Sequence, residues 1–157
     1  MKRSAFAAFM VLLGLSLFPV VLCAQTQADE EELVKSLLQT GKKAIIADNM
    51  GFTEDESKAF WPVYDEFQQL KQKLNERTIK IIKDYMDSYE TITNEKAEAL
   101  LKEYLAIEKE RTDLKSSFLP KFTKVLPAKK VARYYQIENK LDAIVKYEFA
   151  KEVPLVK

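Results

Sequence analysis

The sequence predicts an all-α protein of four helices, and three observations carry that expectation. Breakers are scarce: past the first 24 residues the chain holds only Gly41 and Gly51, with prolines at 62, 120, 127 and 154. Lys, Glu, Leu and Ala fill the stretches between them, the composition of long helices. Apolar residues recur in steps of three and four, and no segment sustains a period of two, so no sheet is expected.

The chain opens with Lys2 and Arg3, followed by an uncharged run from Ala5 to Ala24. A basic start before an apolar run is the layout of an export signal. Pro19 breaks the run near its end, and Ala24 offers a small residue before a cut. The expectation is a signal peptide over 1–24 and one helical domain over 25–157. Cleavage near by, for example after Ala28, is one alternative. An anchor is the other: Cys23 follows Leu22, where a lipidation box has a small residue, and Gly14, Ser16 and Pro19 make a poor membrane span.

The first helix is expected from about Glu30 to Met50, with Leu33, Leu37, Leu38, Ile45 and Ile46 on its apolar side and Gly41 weakening its middle. Gly51 suits the left-handed residue that closes a helix, and Phe52 the apolar contact that follows. Thr53-Glu54-Asp55-Glu56 then reads as a capping box, in which Thr53 accepts from the Glu56 amide while Glu56 reaches back. The second helix carries a seam of Phe60, Val63, Phe67, Leu70, Leu74, Thr78, Ile81 and Tyr85. It is expected to bend near Pro62 and reach Ser88, roughly 50 Å away.

Thr91-Ile92-Thr93-Asn94 is the turn, with Thr93 or Asn94 capping the third helix. That helix carries Ala97, Leu100 or Leu101, Tyr104, Ile107, Arg111, Leu114, Phe118 and Phe122, and Pro120 is expected to bend its end. So short a turn makes the second and third helices antiparallel. Pro127 suits the first position of a fourth helix, whose apolar face is Val131, Tyr134, Tyr135, Ile137, Leu141, Ile144 and Val145, and which ends before Pro154.

The starts of the second and fourth helices resemble each other at an offset of 74. Phe52 aligns with Leu126, Glu56 with Lys130, and Phe60-Trp61 with Tyr134-Tyr135; Val63, Phe67 and Leu70 fall on Ile137, Leu141 and Ile144. Chance agreement between two amphipathic helices is the plain alternative, although paired aromatics are harder to match that way.

On these residues the chain resembles the LTxxQ-motif family of periplasmic proteins typified by Spy and CpxP. Two copies of Leu-Thr-x-x-Gln, each opening a helix, mark that family. Here the apolar first position is kept twice, as Phe52 and Leu126, and the threonine once, as Thr53. Pro127 stands in the second threonine position. Glu56 and Lys130 replace the two glutamines. The resemblance implies a thin, curved, four-helix cradle or hairpin bundle, often dimeric, in the periplasm. Members bind unfolded clients without ATP or damp envelope-stress signalling by binding a sensor.

Composition narrows the chemistry. The chain has no histidine and one cysteine, Cys23, which the expected cleavage removes. That excludes thiol catalysis, disulfides, and the commonest general base and transition-metal ligand. Without Lys2 and Arg3 the chain has 23 basic and 24 acidic residues, a net charge of −1 that offers no bulk attraction to nucleic acid. No enzyme activity, no cofactor and no metal are expected; the alternative to a chaperone is a regulatory adaptor that binds a membrane sensor or an anti-sigma system, and a metal-sensing relative is the disfavoured reading. The expected partners are unfolded or partner proteins of the periplasm and a second copy in a homodimer, with no stable membrane insertion after cleavage.

The candidate contacts for a client or a dimer partner are Trp61, Tyr64, Lys73, Arg77, Lys80, Arg111, Lys115 and Tyr135. Phe60, Trp61, Tyr64 and Phe67 cannot all face inward on one helix, and basic groups beside an apolar seam could draw in acidic, partly unfolded chains. Core packing and solvated intrahelical ion pairs are the plain readings of the same residues. Thr53 and Glu56 are read first as a cap. Gln136 and Asn139 are read as bonding backbone groups at the turn before Pro127, and Lys129 and Lys130 as cations at a helix start, where an anion would suit them.

Overall fold

A computed structural model describes residues 41–156. The expected signal peptide, and Leu33, Leu37 and Leu38 of the first helix, lie outside the described residues. The described chain is helical, with no strand among its residues. Helix α1 covers 41–50, α2 Glu54–Ser88, α3 Asn94–Val125 and α4 Ala128–Glu152, with a 3₁₀ turn at Tyr89–Thr91.

The helix boundaries follow from local chemistry. Gly51 adopts φ +55°, the left-handed conformation that a side chain would disfavour. Phe52 turns back onto Phe60 and Trp61, with ring centroids 4.7 and 6.0 Å away. The capping box is complete: Thr53 Oγ1 accepts from the Glu56 amide at 3.2 Å, and the Glu56 carboxylate accepts from the Thr53 amide at 2.8 Å. Thr93, rather than Asn94, caps α3, its hydroxyl accepting from the Lys96 amide. Pro62 and Pro120 both lie inside continuous helices. Pro127 stands just before α4 instead of opening it.

The helices alternate in direction. Phe60 meets Phe122, Phe67 meets Phe118, and Arg77 meets Glu110, so α2 and α3 are antiparallel, as the short turn requires. Tyr135 bonds Lys115, and Lys146 bonds Glu108, so α4 runs back along α3. It therefore runs the same way as α2, which it meets from Phe60–Tyr134 through Lys71–Asp142 to Tyr85–Pro154. Helix α1 lies antiparallel to α2, with Lys42 on Gln68 and Lys43 on Asp65.

An aromatic core forms where all four helices converge. Phe60, Phe67, Phe122 and Tyr134 are essentially inaccessible, joined by Ile46 and Met50 of α1 and by Leu126 and Val131. Tilted and edge-on rings pack at centroid distances of 4.8–6.2 Å around Phe122. Offset geometry of this kind avoids the repulsion of a face-to-face sandwich.

The expected seams need correction on all four helices. On α2 the buried face is Phe60, Tyr64, Phe67, Lys71, Leu74 and Tyr85, so Tyr64 and Lys71 hold the places expected for Val63 and Leu70; Leu70 is exposed. On α4 Glu138 is buried, while Ile144 and Val145 are exposed. On α3 Leu101 and Tyr104 are exposed. Ile45 of α1 is also exposed. On α2 and α4 one physical reason applies: Lys71 and Glu138 are buried because each satisfies the other, and patterning by hydropathy does not register such pairs.

Candidate protein-binding surface

The five helix-start residues come together at one end of the bundle. Phe52 packs on the α2 aromatics, Thr53 and Glu56 close the cap, and Leu126 is buried beside the core, with Pro127 following. Lys130 reaches from α4 to bond the Gly51 carbonyl at 2.9 Å and to pair with the Glu56 carboxylate. Arg133 donates to the Asn49 carbonyl at 2.7 Å. The C-terminal carbonyls of α1 thus take their cations from α4. Lys130 is the first influence holding the Glu56 carboxyl below the usual carboxylate range, and the Thr53 amide adds to it. This end is a closed joint.

The expected contact residues lie elsewhere, and most are engaged. Tyr64 is buried in the core, which corrects its assignment as a surface contact: its ring meets Phe60, Trp61 and Tyr134. Trp61 is half-buried and donates to Ser57 Oγ, with the Lys43 ammonium over its ring. Arg77 bonds Glu103 and Glu110 across to α3. Arg111 bonds Asn75 Oδ1 and Thr78 Oγ1 across to α2 and pairs with Glu108. Lys115 bonds Asn139, and the Tyr135 hydroxyl donates to the Lys115 carbonyl at 2.8 Å. Lys80 pairs with Asp84, and Lys73 is exposed. Asn139 bonds α3 rather than the turn before Pro127, and Gln136 is exposed.

Between these surfaces lies a buried ionic cluster. Glu138 Oε1 accepts from Lys71 Nζ at 2.6 Å, Lys42 Nζ at 2.7 Å and Gln68 Nε2 at 3.0 Å. Lys71 also pairs with Asp142. Burial pushes the Glu138 carboxyl up, but the Lys71 and Lys42 ammonium groups outweigh it and hold the group below its ordinary range. Burial likewise draws Lys71 down, and Glu138 with Asp142 raises it overall. Lys42 goes the other way: burial keeps its amine below normal despite Glu138. The adjoining cavity, lined by Phe67, Lys71 and Arg111 among others, measures about 10 Å³. That is room for a single water, not for a substrate. Among the described residues no three His, Cys, Asp or Glu side chains group to hold a metal ion, and no helix is long and apolar enough to cross a membrane.

The open feature is at the opposite end. An apolar groove of about 210 Å³ lies at the tip of the α2–α3 hairpin. Ile81, Ile82 and Tyr85 of α2 form one wall, Ala97, Leu100, Leu101 and Tyr104 of α3 the other, with Ile92 of the turn at the end. Val153 and Val156, beyond α4, complete it. The Tyr85 hydroxyl donates to the Pro154 carbonyl at 2.9 Å, fixing the tail there. Sequence reasoning placed Ile81, Tyr85, Ala97, Leu100 or Leu101, and Tyr104 in a closed seam; Tyr85 is buried as expected, but Leu101 and Tyr104 are exposed. The missed signal is length: α2 and α3 hold 35 and 32 residues, and α4 only 25, so their far ends outrun their cover.

No protein-family model matches this chain, and neither a curated protein nor a solved structure matches it.

Proposed function

We propose that the mature chain is a periplasmic protein-binding protein of the Spy/CpxP-like LTxxQ kind, acting as an ATP-independent chaperone of envelope stress. It works by binding and not by catalysis. The observation that carries this reading is the open apolar groove at the hairpin tip. Leu101 and Tyr104 of its wall are exposed, and so are Ile79, Met86 and Leu105 of the same two helices. Contiguous apolar surface of this kind is costly to keep in water and marks a place where another chain binds. The family reading draws support from Glu56 and Lys130. They occupy the two degenerate glutamine positions, and they are complementary in charge and in contact.

The test is suppression of light scattering by three unrelated unfolded proteins, with mature protein below one equivalent and with no nucleotide. The expected result is suppression of all three. No suppression of any of them overturns the chaperone reading. Signal-peptide cleavage and periplasmic release, followed by N-terminal sequencing of the exported chain, test the location.

A further inference from the structure

The groove at the hairpin tip already has a partial occupant. Past Glu152 the chain leaves the helix, with Val153 extended at φ −92°, ψ 112°, and Val153 and Val156 line the groove. Tyr85 holds this segment through the Pro154 carbonyl. The fit is incomplete: Leu155 is 89% exposed and Val156 59%, while the groove stays open beside them. The segment is short, uncharged and apolar, leaves the helix through an extended Val153, and has a backbone carbonyl bonded by a side chain. Those are the features by which an unfolded polypeptide would be recognised in the same place, since an extended strand offers free carbonyls and alternating apolar side chains.

We infer that this groove is the client site, that its ligand is an extended apolar segment of another polypeptide, and that Val153–Val156 is a built-in competitor which such a segment displaces. The inference rests on the protein-binding reading above and assigns that reading a site, a ligand class and a regulator. A resident competitor lowers apparent affinity by the fraction of time the groove is free. A hold this shallow, with Leu155 and Val156 exposed, lets a client segment displace the tail.

The test uses the full mature chain and a fluorescein-labelled peptide of residues 152–157 as the probe, followed by anisotropy. Val153→Ser with Val156→Ser, which loosens the tail and leaves the α2 and α3 walls of the groove intact, should tighten peptide binding about tenfold, the gain expected if the tail covers the groove roughly nine-tenths of the time. Tyr85→Phe keeps the ring and removes the hydroxyl that clasps the tail carbonyl; because the peptide would lose the same clasp, its binding should change far less than in the valine pair. Leu101→Glu, at a site already 56% exposed and therefore tolerant of charge, should weaken peptide binding at least tenfold. Equal binding by the parent and the valine-pair variant, or undiminished binding by Leu101→Glu, overturns the inference. So does a dimer in light scattering that Leu101→Glu splits into monomers, because the occupant is then a second copy. Aggregation suppression measured on the same variants keeps the two readings apart. Suppression that survives Leu101→Glu unchanged removes the groove but keeps the chaperone. Peptide binding without suppression in any variant does the reverse.

Discussion

Glu56 and Lys130 occupy equivalent positions in the two helix starts, 74 residues apart, and they form an ion pair with each other. Phe60 and Tyr134, equivalent by the same offset, pack edge to face at 5.1 Å. The repeat legible in the sequence is therefore also a contact: the two copies sit against one another, each supplying one half of the same joint.

Reversing either charge, Glu56→Lys or Lys130→Glu, should lower the midpoint of urea unfolding, and the double reversal should recover part of the loss. The recovery will be incomplete, because Lys at position 56 cannot accept from the Thr53 amide and Glu at position 130 cannot donate to the Gly51 carbonyl. The sign of the pH effect follows from the lowered Glu56 carboxyl. Its contribution is fully present above its ordinary value of 4.5 and is lost as the pH falls through the lower folded value. Unfolding curves between pH 6 and about 2 should show Glu56→Gln with the shallower acid dependence.

The buried cluster should respond asymmetrically. Glu138→Leu strips Lys71 and Lys42 of their shared acceptor and should cost about 3–5 kcal/mol. Adding Lys71→Met should return most of that, since a buried ion pair is often replaceable by apolar groups of similar volume. Chemical denaturation of the two variants measures both values; a double variant no better than Glu138→Leu would refute the account.

Two neighbouring tyrosines should behave differently. The Tyr134 hydroxyl is buried beside Gln68 without a well-formed hydrogen bond, whereas that of Tyr135 donates to Lys115. Tyr134→Phe should be neutral or stabilising, and Tyr135→Phe should cost about 1 kcal/mol. Thermal melts of the pair decide it.

Phe122 touches five aromatic neighbours at the centre of the core and is wholly buried. Phe122→Ala should cost about 3–5 kcal/mol. Phe149, 44% exposed on α4, is the control: its alanine variant should stay within about 0.5 kcal/mol of the parent.

Helix starts and ends were readable in the sequence because they depend on local chemistry. Thr53 and Thr93 cap through their own side chains, and Gly51 closes α1 by its own backbone. The antiparallel hairpin followed from turn length. The position of Lys71 did not follow, because nothing near it in the chain announces that Glu138 and Asp142 will be there to receive it. The partners of Arg77 and Arg111 were illegible for a related reason: Arg77 resembles a solvated cation on a helical wheel, Arg111 stands as a cation within an apolar seam, and only the partner helix shows their carboxylate, amide and hydroxyl acceptors. The groove escaped notice because its residues have the spacing of a core, and core and groove differ only in whether a further layer covers them.

Tyr85 takes hold of the tail by a main-chain carbonyl, not by a side chain. Every residue of every polypeptide carries that oxygen. A clasp of this kind is blind to sequence: it senses that a strand is extended and within reach, and leaves selectivity to whichever side chains the strand lays along the apolar walls.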